Sequence, residues 1–176
     1  MALIYITGLA GSGKSTICEE LKKRGFEAHD ADKEGFNRWC NRITGRARVK
    51  WTINKNQVKT EEWSKRYSWN TSRTKVERLA KKARNKLIFL CGISANEEIV
   101  WDLFSKVICL VVNEPTLRNR IAARTSNDYG KAPHELKNLL EWHKTYPSDY
   151  IKKSAIVIDA NRPLNAVVDE ILKTST

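Results

Sequence analysis

A chain of 176 residues is long enough for one domain with a substantial core and short for two ordinary ones, so residues 1–176 read as a single domain. Charged residues make up 30% and apolar residues 41%, a balance that excludes a disordered or fibrous chain, and no apolar run approaches the roughly 20 residues of a membrane span. The net charge of +12 is uneven: Lys33 to Arg84 holds sixteen Lys or Arg against four Glu, while the rest of the chain balances at sixteen against sixteen.

The first apolar run, Ala2 to Ile6, has the length of a buried strand. It has no basic leader and runs directly into a glycine-rich segment, so a cytoplasmic location is expected. That segment, Gly8-Leu9-Ala10-Gly11-Ser12-Gly13-Lys14-Ser15, satisfies G-x-x-x-x-G-K-[ST] at every fixed position. Glycines there let backbone N–H groups converge on phosphate oxygens, and the start of the following helix adds its positive end. Gly8, Gly11, Ser12, Gly13, Lys14, Ser15 and Thr16 are therefore the expected nucleotide-phosphate contacts. Lys14 would reach the outer phosphates and the Ser15 hydroxyl would bind Mg²⁺.

A helix is expected from Gly13 or Lys14 to about Arg24, stopped by Gly25, with a weaker second strand over Phe26 to Ala31. Asp30-Ala31-Asp32 follows. Alternate residues of an extended strand share a face, so one carboxylate can serve the Mg²⁺ shell while the other takes a proton from an attacking hydroxyl; their position in chain order favours this over the alternative, capping of a helix near Lys33. The basic segment 33–84 also holds Trp39, Trp51, Trp63 and Trp69, four of the six tryptophans. Cations interleaved with flat aromatics suit phosphorylated or base-containing partners, nucleic acid included, although a solvated helical surface would look the same.

Lys86 to Cys91, Val107 to Val112 and Ala155 to Ile158 read as three further buried strands. The first ends in Cys91-Gly92 rather than an aspartate, and Glu97 stands too far along to be a strand-end Mg²⁺ acid. No N-K-x-D base-reading motif is found; Asn54-Lys55-Asn56-Gln57 lacks the aspartate. Residues 118–150 interrupt the alternation: Arg118, Arg120 and Arg124 lead to a turn at Thr125 to Gly130, then Pro133 opens a helix carrying Leu136, Leu139 and Leu140. Arg120 and Arg124, four apart, are the preferred pair to face a transferring phosphoryl group. Leu164, Val167, Val168, Ile171 and Leu172 fall at helical spacing behind Pro163. Cys18, Cys40, Cys91 and Cys109 make no C-x-x-C pair, and His29, His134 and His143 make no metal or triad pattern.

Together these features resemble the nucleoside-monophosphate-kinase-like P-loop family, which includes adenylate kinase, shikimate kinase and gluconate kinase. The resemblance rests on the Gly8–Ser15 loop, the Asp30-x-Asp32 pair, the 33–84 insertion, the arginine-bearing stretch Arg118 to Lys131 and Ile158-Asp159-Ala160-Asn161-Arg162-Pro163. Arg124 to Lys131, R-T-x-N-x-x-G-K, also resembles a bacterial ATP-binding subgroup. The resemblance implies a three-layer α/β fold with a five-stranded parallel sheet in the order 2-3-1-4-5, a helical acceptor-binding insertion and a LID at 118–150. It implies ATP and Mg²⁺ as cofactors and a small-molecule acceptor. Residue by residue it implies Lys14, Asp32, Arg120 and Arg124 in catalysis and Arg118, Ala160, Asn161 and Arg162 at the nucleotide. It further implies Ser15 and Asp30 at the metal, and Asp32, Trp39 and Gly92 at the acceptor. The triple glycine of shikimate kinases and the Asp-Gly-Phe-Pro-Arg of adenylate kinases are absent, so the acceptor is not carried over. A small-molecule kinase, a polynucleotide 5′-kinase and a non-catalytic ATP-binding regulator all stay open at this point.

Overall fold

The computed structural model describes residues 2–47 and 61–175. In chain order its elements begin with β1 (Leu3–Gly8), α1 (Lys14–Lys23), β2 (Glu27–Asp30), β3 (Asn37–Asn41), α2 (Glu61–Arg66), β4 (Tyr67–Thr71) and α3 (Arg73–Lys82). There follow β5 (Ile88–Cys91), a 3₁₀ segment (Glu97–Leu103), β6 (Lys106–Val111), α4 (Glu114–Ala123), α5 (Pro133–Lys152), β7 (Ile156–Asp159) and α6 (Leu164–Ser175).

The main sheet runs β2-β5-β1-β6-β7 with every neighbour parallel. Counting only its own strands in chain order, this is the expected 2-3-1-4-5. All six β1 residues are buried, because a central parallel strand is covered on both faces. Ile4 and Ile6 pack with Ile17, Cys18 and Leu21 of α1 and Val167, Val168 and Ile171 of α6. Leu3 and Tyr5 face the opposite layer, with Val76 and Leu79 of α3, Val100 of the 3₁₀ segment and Tyr150 of α5. Each such aliphatic side chain contributes about 1.5–3 kcal/mol by leaving water, so the sheet forms a stiff platform under the loops at its carboxyl end.

Both predicted helix boundaries around the first loop hold: α1 ends at Lys23 and Gly25 takes φ 86°, the left-handed stop that a side chain resists. The insertion differs from the expectation of an all-helical segment. β3 and β4 pair antiparallel as a separate two-stranded ribbon, with Trp39 opposite Trp69, and among the described residues of the insertion only α2 and α3 are helical. Cross-strand aromatic packing explains the preference: Trp39 meets Trp63 edge-on at 4.5 Å and Trp69 at 5.1 Å, and Trp63 stacks on Tyr67 at 5.0 Å. The 118–150 stretch is likewise mostly regular, since only 124–132 lies between α4 and α5. Trp51, the Asn54–Gln57 stretch and the cations Arg48, Lys50, Lys55 and Lys59 lie outside the described residues.

Candidate nucleotide and acceptor site

Residues 8–13 join the end of β1 to the start of α1 as a close-fitting turn. A Cβ on Gly8 would stand 2.5 Å from Ser12 Oγ and 2.8 Å from the Leu110 carbonyl, so only glycine lets the loop leave the sheet here. Gly13 caps α1 with φ 103°, a conformation that costs a side-chain-bearing residue about 1 kcal/mol or more. The first N–H groups of α1 have no acceptor within the helix and sum with its dipole at the loop, which makes an anion site of this corner. Lys14 folds back over it, its Nζ donating to the carbonyls of Gly8 at 2.5 Å and Leu9 at 2.9 Å. Burial holds its ammonium below the ordinary lysine value; Asp32 opposes that shift and Arg124 adds to it. The Ser12 hydroxyl is buried with no hydrogen-bond partner among the described residues, a polar group left over inside the loop.

At the end of β2 the two aspartates divide. Asp30 is buried, and its Oδ1 accepts the N–H groups of Asp32 and Lys33 at 3.1 Å each, closing a turn rather than capping a helix. Asp32 is exposed, and its Oδ1 accepts from Asn37 Nδ2 of β3 and Trp69 Nε1 of β4, both at 2.8 Å. Two donors from the ribbon thus fix the carboxylate while Oδ2 takes no hydrogen bond among the described residues. Trp39 stands behind Trp69 in the aromatic cluster and reaches the site through it. Gly92 is buried beneath: a Cβ there would sit 2.6 Å from that of Ala31, so its glycine is required for packing of the Asp30–Asp32 turn on β5.

The arginines separate by role. Arg118 is an exposed partner of Glu114 on its own helix, Nε to Oε1 at 2.8 Å. Arg120, expected beside the transferring group, instead donates from Nη1 to the Ser12 carbonyl at 3.2 Å and from Nη2 to the Ala160 carbonyl at 3.0 Å. Its fork ties the phosphate loop to the loop after β7. Arg124 is the arginine with capacity to spare: Nη2 donates to the Tyr129 carbonyl, Nε is buried without a partner, and burial lowers its pKa from the ordinary value. A half-buried guanidinium without a full acceptor set is stabilised by an incoming anion. After β7, Ala160 is buried with its N–H on the Val111 carbonyl at 2.8 Å. Asn161 accepts from the Asn113 N–H at 3.1 Å, and Arg162 donates to the Asp159 carbonyl at 3.1 Å and pairs with Glu170. Ala160 thus has both backbone groups engaged, whereas Asn161 and Arg162 lie on the exposed rim.

Sequence reasoning passed over Glu97. The 3₁₀ segment after β5 folds its carboxylate back against β1, where Oε1 accepts from Tyr5 at 2.7 Å, Thr7 at 3.2 Å and the Ser94 N–H at 3.2 Å, and Oε2 accepts from Tyr150. Tyr146 completes the cluster at 3.1 Å from Thr7. Burial raises the pKa of Glu97, with the hydrogen bonds pulling it back, and burial above all pushes Tyr5, Tyr146 and Tyr150 up, so the phenols remain donors. The cluster joins the strand that carries the phosphate loop to the helix that follows 124–132. No spacing rule connects residues 5, 7, 97, 146 and 150, so nothing in the sequence pointed to this polar core.

Among the described residues no cluster of three or more His, Cys, Asp or Glu could hold a metal. Ser15 is exposed on the first turn of α1, and Asp30 has one oxygen already committed to its turn. Ser15 Oγ and Asp30 Oδ2 take no hydrogen bond among the described residues, a sparse donor set that fits a Mg²⁺ carried in on the phosphates.

The fold is shared with solved kinases. Shikimate kinase from Acinetobacter baumannii in complex with shikimate aligns at a TM-score of 0.61 with 20% identity, covering 99% of this chain and 92% of that one. A sugar kinase from Janibacter sp. aligns at 0.56 with 18% identity, covering 97% and 92%. Deoxyadenosine kinase from M. mycoides with bound dATP aligns at 0.54 with 20% identity, covering 99% and 98%. No curated protein matches the sequence. The AAA domain family matches over residues 4–141, from the middle of β1 into α5. With that match spanning the phosphate loop, the aspartate turn, the insertion and the arginine helix, the chain belongs to the AAA domain family of P-loop proteins.

Proposed function

We propose that the chain is an ATP- and Mg²⁺-dependent kinase that transfers the γ-phosphoryl group to a hydroxyl of a small acceptor, with a nucleoside or nucleotide favoured. The observation that carries this reading is Asp32, an exposed carboxylate held by two ribbon donors within electrostatic reach of Lys14. A hydrolase of this class holds its Mg²⁺ with an acid at the end of a core strand, and β5, beside β1, ends in Cys91 followed by Gly92.

In this reading Lys14 exchanges the carbonyls of Gly8 and Leu9 for phosphate oxygens, and the N–H groups at the start of α1 bind the same oxygens. Ser15 and Asp30 hold the Mg²⁺, which would neutralise charge on the outer phosphates. Asp32 accepts the proton of the acceptor hydroxyl through Oδ2, its orientation set by Asn37 and Trp69. Arg124 takes the charge that develops on the transferring oxygens, and Arg120 keeps the loop and the rim at Ala160 in register. The Trp39, Trp63 and Trp69 cluster beside Asp32 supports a flat acceptor, because stacked bases and indoles attract through their faces. Residues 1–176 then act as one domain, with the β3–β4 ribbon of the 33–84 segment on the acceptor side and 124–132 of the 118–150 stretch over the phosphates.

The test is ADP formation from ATP and Mg²⁺ across nucleosides, nucleotides, sugars and shikimate-like acids. A nucleoside that raises turnover well above the Lys14→Ala background supports the reading. ATP binding with no stimulation by any acceptor would contradict it and favour a regulatory nucleotide binder.

A further inference from the structure

Away from the phosphate loop, a groove of about 270 Å³ runs along the outer edge of the sheet between α3 and the turn that follows β2. Its wall is the exposed stripe Lys75, Arg78 and Lys82, residues i, i+3 and i+7 of α3, and its floor is Phe36 and Leu79. The stripe is about 10 Å long at 1.5 Å per residue. Lys75 donates to the Gly35 carbonyl at 2.6 Å, a neutral partner that leaves its charge uncompensated. Arg78 makes no hydrogen bond or ion pair among the described residues. Lys82 shares Glu27 with Lys86 and His29, so one carboxylate answers two lysines there. Glu34, the acid on the groove's rim, is already taken by Lys22 at 2.9 Å and by His29. The groove therefore carries a surplus of positive charge over an aromatic ring, and its upper end is Gly35, in the same turn as Asp32.

We infer that this groove binds single-stranded nucleic acid, with backbone phosphates on Lys75, Arg78 and Lys82 and a base on the face of Phe36. An acidic protein segment would satisfy the cations but makes no use of the half-buried Phe36 ring, which packs against the core, tilts against His29 at 5.8 Å and still lines the groove. A strand supplies phosphates at regular intervals and a flat base for each, which is the pattern of cations and aromatic found here. A duplex offers no free base face. The inference concerns binding, stands without any transfer reaction, and is read without ATP.

The experiment is fluorescence anisotropy of the full chain with a short labelled single strand over a salt series. Binding that weakens steeply with salt is expected. The Lys75→Ala, Arg78→Ala, Lys82→Ala triple variant should lower the slope of log K against log salt by about 2, since each phosphate contact on a single strand contributes about 0.7. Arg78→Glu alone, at a side chain that holds no other residue, should weaken binding at low salt by about tenfold. Phe36→Leu, which keeps apolar volume but removes the ring face, should weaken it about fivefold or more. Binding of a fluorescent ATP analogue should be unchanged in all three, which shows them folded and separates this inference from the kinase reading. No binding at low salt, an unchanged slope in the triple variant, or equal competition by polyglutamate would overturn it.

Discussion

The phosphate loop and the β3–β4 ribbon, the proposed acceptor side, are built by opposite routes. The loop is contiguous: residues 8–16 supply the glycines, the lysine, the hydroxyls and the helix start, and their chemistry follows from backbone geometry that any chain with this pattern adopts. The acceptor side is assembled from Asp32, Asn37 and Trp69, brought together by antiparallel pairing of two strands that begin 30 positions apart, with Trp39 opposite Trp69. The lesson is a division of labour. In the proposed reading, binding of the phosphates rests on a local motif, while selection of the acceptor would rest on tertiary packing of one insertion.

Substitutions at four positions probe that division, beginning with the largest effect. Lys14→Ala removes the one side-chain cation of the loop and should lower transfer by about 10²–10³-fold, together with ATP affinity, as read by ADP formation and nucleotide titration. Trp69→Phe keeps a ring in the ribbon but drops the N–H that orients Asp32; turnover should fall about tenfold to a hundredfold with ATP affinity unchanged. If ATP affinity falls with it, the two halves are less independent than the geometry indicates.

Glu97→Ala leaves three hydroxyls without their common acceptor beneath both halves, and should destabilise the fold by about 1–3 kcal/mol in urea unfolding, with Glu97→Gln costing less. The same residue sets a pH dependence. Because burial raises its pKa, the folded chain retains a proton just above the ordinary carboxyl range where the unfolded chain has lost it, so stability falls as pH rises through that window. Glu97→Gln should flatten that slope. Arg120→Ala has the smallest effect, a several-fold weaker ATP affinity with turnover at saturation retained, because the fork holds loop carbonyls and contacts no reacting atom in this account.

The contrast also explains what the sequence disclosed. Continuous apolar runs of strand length located four of the five parallel strands, the weaker second strand was placed by the Gly25 stop before it, and Gly25 and Pro163 bounded α1 and α6, because these signals are local. The ribbon escaped: Asn37–Asn41 and Tyr67–Thr71 show weak alternation and share no short turn, so their pairing depends on indole packing between distant positions. Asp32 was legible as an acid at a strand end, yet Asn37 and Trp69 as its donors were not. Glu97 was dismissed by its distance from β5, and the 3₁₀ turn that returns it to β1 has no signature in spacing. Arg120 and Arg124 look equivalent on a helical wheel; the end of α4 at Ala123 is what sends one to the loop carbonyls and the other to the Tyr129 carbonyl.

The central claim is that Asp32 serves the acceptor and not the nucleotide, and Asp32→Asn tests it most directly. ATP affinity and acceptor-dependent transfer should be measured side by side on that variant. The account predicts ATP binding within about twofold of the parent, and transfer reduced by about 10²–10⁴-fold, the contribution of a positioned base. Transfer that persists, or ATP binding lost in parallel with it, would contradict the account.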